Sequence, residues 1–280
     1  MGGIIWLASY PKSGNTWART FINNLLLNPD KPVDINELSA LAPGDARKSW
    51  YEKAGGQPFH RYSIGEVISL RPKVHKLIAE SAEDPVYVKT HSIFGTLHGV
   101  PQITMEHTIG AVYIIRNPLD VVISLASHFG LTLELAITLM KDVEAFTGET
   151  PTGNTIRQYF GSWSGHANSW THFDQKKMHV MRYEDMLYKP EETFGGLAKF
   201  LGLNPPKEQL IKAIKFSSFD AVRTQEEKKG FREQSAKNSK FFRAGKAGQW
   251  KDVLTRDQVD RIIQSHHMTM EYFGYNPDEL

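Results

Sequence analysis

The sequence predicts an α/β fold, a single domain with a central parallel sheet flanked by helices. Four short apolar runs, 4–10, 86–91, 111–116 and 178–183, are rich in β-branched and aromatic residues and end in polar or turn-forming ones, the signature of buried parallel strands. Helical patterns lie between them, and strands alternating with helices imply a sheet covered on both faces. No internal repeat, low-complexity tract or Pro/Gly-rich linker divides the 280 residues, so residues 1–280 read as one domain.

The first strand passes through Ile4-Ile5-Trp6-Leu7-Ala8 and, after a short polar turn, feeds a helix over 16–27. Its Trp17, Phe21, Ile22, Leu25 and Leu26 recur at helical spacing. The third strand ends at Arg116. Asn117-Pro118-Leu119-Asp120 then supplies a cap, a proline at the first helical position and an acid in the first turn, and the helix continues over 121–129. A helix over 191–201 follows the fourth strand, with Gly202 where a C-cap belongs. Thr255 and Gln258 resemble a capping box opening a last helix to about Phe273.

Two stretches break this rhythm. Residues 28–83 are mostly polar, with Gly55-Gly56 and scattered Trp50, Tyr51, Phe59 and Tyr62. Residues 131–156 hold a helical pattern followed by loop signals from Gly148 to Gly153. Insertions of this kind in an α/β enzyme roof the active site. Both are expected to cover a substrate pocket, with a surface decoration as the alternative, and Trp50, Tyr51, Phe59, Phe129 and Phe146 suggest an apolar or aromatic pocket.

Composition narrows the function. With 40% apolar and 23% charged residues the chain is globular rather than disordered. The absence of cysteine removes disulfides, cysteine-type zinc sites, iron–sulfur clusters and thiol nucleophiles, and fits a reducing compartment. Lys+Arg of 33 against Asp+Glu of 31 argues against a general nucleic-acid binder. The N-terminal apolar run has no basic residue before it and is too short for a signal-peptide core or a membrane span. The expectation is a cytoplasmic protein with neither a nucleic acid nor a membrane as partner. No metal is expected: there is no H-E-x-x-H, and His266-His267 with Glu271 reads as a solvated helix face.

The most informative segment is Tyr10-Pro11-Lys12-Ser13-Gly14-Asn15-Thr16-Trp17. A strand, a tight polar turn and a helix start aim the N–H groups of Ser13, Gly14, Asn15 and Thr16 at one spot, where the helix dipole adds positive charge. Lys12 adds a full charge, and Asn15 and Thr16 add side-chain donors. This is an anion site, most naturally for phosphate. It is not the Walker A pattern, because Lys12 precedes Gly14.

That loop resembles the 5′-phosphosulfate loop of the soluble PAPS-dependent sulfotransferases, YPKSGTTW, with Asn15 for a threonine. Further segments resemble the family in its order: Lys89-Thr90-His91 its KTH segment; Arg116 and Ser124, eight apart, its 3′-phosphate segment; Gly161-Ser162-Trp163 with His166 and Trp170 its GSWxxHxxxW stretch; Tyr183-Glu184-Asp185 its YED turn; and Arg243 to Lys251 its RKGxxGDWK closing segment. Ala244 stands where the family has a basic residue and Gln249 where it has an aspartate. The vertebrate dimer motif KxxxTVxxxE keeps only Lys251 and Thr255, with Asp260 for its glutamate and Arg256 for its valine, so that dimer is not carried over.

The resemblance implies transfer of a sulfuryl group from PAPS to a hydroxyl or amine of a small acceptor, leaving PAP, without a metal. His91 is then the base, Lys12 meets the charge on the leaving 5′-phosphate, and Lys89, two residues earlier on the strand, shares a face with His91. Arg116, Ser124, Arg243, Ala244 and Gly245 fall at the 3′-phosphate. Tyr183, Ser217 and Phe219 resemble the family's adenine contacts. Trp17 and Phe219 each fit either adenine stacking or the core. Two other classes compete: a small-molecule kinase with a variant loop, which needs Mg²⁺ and an acid ending a strand, and a non-catalytic nucleotide binder, which needs no base.

Overall fold

The computed structural model describes residues 2–148, 153–234 and 240–275. From the N-terminus come β1 (Ile4–Ser9), α1 (Asn15–Leu27), α2 (Lys48–Gly55), α3 (Ile64–Ala79), β2 (Val86–Thr90), the short β3 (Thr96–Leu97) and β4 (Val100–Pro101), then β5 (Thr108–Ile115), α4 (Pro118–Phe129) and α5 (Leu133–Lys141). The second half holds β6 (Phe146–Thr147), β7 (Gln158–Tyr159), α6 (Trp163–Thr171), β8 (Met178–Arg182), α7 (Tyr183–Tyr188), α8 (Pro190–Phe200), α9 (Lys207–Phe216), α10 (Phe219–Lys229), α11 (Trp250–Val253) and α12 (Arg256–Tyr272).

The four expected strands form one parallel sheet in the order β2-β1-β5-β8. Period-two alternation sorts their side chains. Trp6, Ala8, Ala111, Tyr113 and Ile115 point into one apolar cluster, Leu7, Val112 and Ile114 into the other. Helices α1, α8 and α9 bury Phe21, Phe194 and Ala213 on the Leu7 side, while α3, α4, α6 and α12 cover the Trp6 side. The N-cap of α4 is Asn117, whose side chain accepts from Leu119 N–H at 2.9 Å. Thr255 and Gln258 make the full capping box of α12. Gly202, at φ +72°, ends α8, with Leu203 N–H on Ala198 O at 2.9 Å.

Residues 28–83 become a layer rather than a loop. Helix α3 packs on β1 and α2 packs on α3, placing Tyr51, Val67, Val74 and Ile78 in the core. Inside this layer Arg71 and Asp45, both almost fully buried, form an ion pair at 2.9 Å. No single described helix is long and apolar enough to cross a membrane.

Candidate active site

All four sheet strands end at one cleft of about 680 Å³. Strand β1 delivers the phosphate loop, β2 delivers Lys89 and His91, β5 delivers Arg116, and β8 delivers Tyr183. Ligands of parallel α/β sheets bind outside these carboxyl ends.

The loop is built by its own polar side chains. Asn15 Nδ2 donates to Leu7 O at 2.8 Å and to Ser9 Oγ at 3.3 Å. Its amide therefore fastens the turn to β1, and what it presents to an anion is its backbone N–H. The first helical bond is Ala18 N–H to Gly14 O at 3.2 Å, so the N–H groups from Ser13 to Trp17 lie ahead of it as free donors of a helix start. Gly14 has φ +108°, and a Cβ there would lie 2.9 Å from the Tyr183 ring. Lys12 also sits in the left-handed region, at φ +69°, which costs about 1–2 kcal/mol for an L-residue.

Lys12 Nζ lies 3.6 Å from the centroid of Phe241. Burial, with Lys89 and Arg116 nearby, lowers its pKa to about 7. Among the described residues neither Lys12 nor Arg116 pairs with a carboxylate. Arg116 instead donates to Lys12 O at 3.3 Å and Lys246 O at 3.1 Å, and its guanidinium lies 4.1 Å from the centre of the Tyr183 ring. An unbalanced set of cations around free N–H donors is a site for a highly charged anion.

His91 is held at one nitrogen. Its Nδ1–H donates to Ser9 O at 2.8 Å, which fixes the tautomer and leaves Nε2 as the basic atom. Burial and Lys89 push its pKa well below the ordinary value, so the ring is neutral. Its backbone is braced on both sides: His91 N–H donates to Gln158 Oε1 at 3.1 Å, and His166 Nε2–H donates to His91 O at 3.2 Å. Tyr113 O–H in turn holds His166 Nδ1 at 2.9 Å, and Trp170 Nε1–H reaches Ser92 O at 3.3 Å. The GSWxxHxxxW stretch thus buttresses the backbone around His91.

Residues 231–234 and 240–250 border the cleft as a strap, and carboxylates pin both parts. Glu226 accepts from Phe241 and Phe242 N–H, at 2.5 and 2.9 Å. Asp120 accepts from Gly248 N–H at 2.7 Å and Trp250 N–H at 3.2 Å. Glu233 binds Arg19 through both oxygens, at 2.8 and 2.7 Å, and Lys89 at 3.3 Å. Gly245 lies on Phe219, whose ring a Cβ would meet at 2.3 Å.

Lys12, Gly14, Asn15, Thr16, Trp17, Lys89, His91, Arg116, Ser124, Tyr183, Ser217, Phe219, Arg243, Ala244 and Gly245 all line the cleft. Ser13 does not; its side chain is fully buried, and its hydroxyl has no partner among the described residues. Trp17 both lines the cleft and packs on Tyr183 and Phe194. The insertions divide. Residues 147–148 and 153–155 line the cleft, whereas none of 28–83 does among the described residues. Of the five aromatics expected there only Phe129 is present. Tyr51 is core, Trp50 and Phe59 pack against the core, and Phe146 is half exposed beside Tyr159. Tyr51, Trp50 and Phe59 thus serve the packing of the 28–83 layer on the core. Residues 149–152 of the second insertion lie outside the described residues. Sequence reasoning missed Arg19, Glu226 and Glu233, which carry no motif, and read Asp120 only as a first-turn acid.

Residues 4–274 match the family model described as a sulfotransferase domain. The chain belongs to the sulfotransferase family. The enzyme class is that of a PAPS-dependent sulfotransferase. The chain is 28% identical over 273 residues to sulfotransferase 1B1 of Canis lupus familiaris, covering 92% of this chain and 80% of that one. It is 25% identical to flavonol 3-sulfotransferase of Flaveria bidentis, covering 92% and 78%. Among solved structures it resembles mouse sulfotransferase SULT7A1 complexed with PAP, with a TM-score of 0.60 at 20% identity, covering 96% and 85%. It also resembles retinol dehydratase in complex with androsterone and PAP, with a TM-score of 0.64 at 16% identity, covering 95% and 80%. These two likenesses support the fold of this sulfotransferase.

Proposed function

We propose that this sulfotransferase moves the sulfuryl group of PAPS to a hydroxyl or amine of a small acceptor, with His91 as base and Lys12 at the leaving phosphate. The observation that carries the reading is the convergence of a tautomer-fixed His91, Lys89 and Lys12 in the cleft that holds the free N–H groups of the phosphate loop. The donor supplies a sulfur joined to a phosphate oxygen that leaves readily once its charge is met. The loop N–H groups and Lys12 take the 5′ end; Arg116, Ser124, Arg243 and the Gly245 segment take the 3′-phosphate; Tyr183, Ser217 and Phe219 flank the adenine.

Transfer asks three things of the chain. His91 Nε2 accepts the acceptor's proton as its oxygen or nitrogen bonds to sulfur. Lys12 meets the charge that grows on the phosphate oxygen as the S–O bond breaks. Lys89 stabilises the sulfuryl oxygens in passage. The proton on His91 then leaves to solvent. A low intrinsic pKa keeps His91 ready as base at neutral pH. The kinase alternative has less support, because the carboxylates that line the cleft are engaged, Asp120 by Gly248 and Trp250 N–H and Glu233 by Arg19 and Lys89.

The test is PAP release from PAPS against a panel of phenols, hydroxysteroids, flavonols, sugars and amines, with and without EDTA. EDTA-insensitive PAP release that depends on one acceptor class is expected. Release no faster than without acceptor, across the panel, would sink the transferase reading.

A further inference from the structure

Two imidazoles line the cleft, and they are set in opposite ways. His91 spends its Nδ1–H on Ser9 O, so its Nε2 is a bare lone pair. His128 stands on α4, one turn beyond Ser124 and two beyond Asp120, and all three line the cleft. Its Nδ1 is buried with no partner among the described residues, which leaves Nε2 as the nitrogen that the cleft can reach. Burial, with Lys12 and Lys89 nearby, lowers its pKa to about 3, so the ring is neutral and carries one N–H. An orphaned buried N–H is the rarer defect in proteins, so that hydrogen belongs on Nε2. His128 is thus a donor where His91 is an acceptor. Its ring is held edge-to-face against Phe129 at 4.9 Å and Phe241 at 6.0 Å.

A second donor stands beside His91. Gln158, on β7, accepts from His91 N–H through Oε1 at 3.1 Å. That bond fixes the amide, its oxygen on the backbone and its NH2 turned away. The NH2 has no partner among the described residues and is left to the cleft that Gln158 lines. Around the bare nitrogen of His91 the cleft therefore presents N–H donors and the cations Lys12 and Lys89. Its two carboxylates, Asp120 and Glu233, are already engaged. Such a surface attracts lone pairs and repels ammonium groups.

We infer that the acceptor is an oxygen-rich alcohol, in which a second oxygen beside the sulfated hydroxyl takes hydrogen bonds from His128 Nε2–H and the Gln158 NH2. The inference rests on the transferase reading and narrows its acceptor, because an isolated hydroxyl on a hydrocarbon leaves both donors unpaired and a cationic amine is repelled. The reacting hydroxyl gives its proton to His91 Nε2 and its oxygen bonds to sulfur, as the bond from sulfur to the phosphate oxygen breaks and PAP leaves. The second oxygen takes no part in that exchange. It turns the reacting hydroxyl towards His91.

Acceptors matched in size test this: 2-methoxyphenol against 2-ethylphenol, and trans-2-methoxycyclohexanol against trans-2-ethylcyclohexanol, with trans-2-methoxycyclohexylamine as the amine. Each is read as kcat/KM for PAP release from PAPS in wild type, His128→Phe, His128→Asn and Gln158→Glu. In wild type the methoxy member of each pair is expected to be preferred about ten- to a hundredfold, the scale of two neutral hydrogen bonds. His128→Phe should cut that ratio about three- to tenfold, the scale of one, and His128→Asn, which keeps an N–H donor, should recover part of it. Gln158→Glu keeps Oε1 for His91 N–H but exchanges its donors for lone pairs, so its ratio should fall and its use of the amine rise. Equal kcat/KM within the pairs in wild type, or ratios unmoved by His128→Phe and Gln158→Glu, overturn the inference while the turnover itself upholds the transferase reading. Faster use of the amine than of either alcohol by wild type overturns it as well, as does release only from acceptors of the wider panel that lack a neighbouring oxygen. No release from any acceptor refutes the transferase reading, and this inference with it.

Discussion

The phosphate loop and the 28–83 layer both bring polar and aromatic residues beside strands β1 and β2, yet they use them in opposite ways. In the layer, charges are spent on each other: Arg71 and Asp45 pair at 2.9 Å in the interior, and His75 beside them is kept neutral by burial. Its aromatics Trp50, Tyr51 and Phe59 pack into or against the core cluster, beside α3. At the loop, Lys12 and Arg116 face the cleft with no carboxylate partner among the described residues, and a lysine tolerates both a left-handed backbone and a pKa near 7. Buried charge that is paired is architecture. Buried cations left without a carboxylate partner, one of them on a left-handed backbone, around free N–H donors are an unfinished site awaiting an anion.

The sharpest way to break this contrast is at the base. His91→Ala is expected to slow transfer by roughly 10²–10⁴-fold while PAP affinity by calorimetry stays near wild type, because the ring is tied to Ser9 O and not to the loop donors. Next comes the 3′-phosphate. A charged hydrogen bond contributes about 1.5–3 kcal/mol. PAP should therefore bind on the order of 10²-fold more tightly than AMP, and Arg116→Ala should erase most of that gap in a thermal-shift comparison. Equal binding of PAP and AMP to wild type would mean there is no clamp.

The Lys12 effect is smaller and depends on pH. Its folded pKa, about 7, lies below its ordinary 10.5, so the unfolded chain binds the extra proton between these values, and stability from this group rises with pH across that window. For the donor the sign reverses. An anion favours the charged lysine, so PAP binding near pH 8 should take up protons, visible as buffer-dependent heats. The free enzyme's kcat/KM for PAPS should fall about tenfold per unit above pH 7. Lys12→Met should flatten that profile. The smallest effect is expected in the layer. Tyr51→Phe removes a buried hydroxyl with no partner among the described residues and should leave turnover and PAP affinity unchanged; a kinetic loss there would mean that the layer reaches the site.

Much of the loop end was legible because its chemistry is local. Strand, turn and helix start are contiguous from Leu7 to Trp17, Lys89 and His91 are two apart on one strand, and Arg116 ends another. Asn15 was legible as a donor but not in its target, since Leu7 O becomes its partner only once the turn has closed. The strap anchors were hidden for a physical reason. Arg19 and Glu233 are 214 residues apart, and Asp120 and Gly248 are 128 apart. No local pattern announces which carboxylate will meet which donor across such distances. The aromatics of 28–83 were ambiguous for another reason. An apolar ring at helical spacing reads the same whether it lines a pocket or seals a sheet, and only the packing of α2 and α3 decides.

The central claim is that one cleft binds the sulfuryl donor through its phosphates and removes the acceptor's proton through His91. Single-turnover PAP release from labelled PAPS, for wild type and His91→Ala with the best acceptor from the panel, tests both halves together when PAP affinity is measured on the same samples. The expected result is rapid release by wild type, a loss of at least about 10²-fold in His91→Ala and matching PAP affinities. Equal release rates, or a parallel loss of PAP affinity, would contradict it.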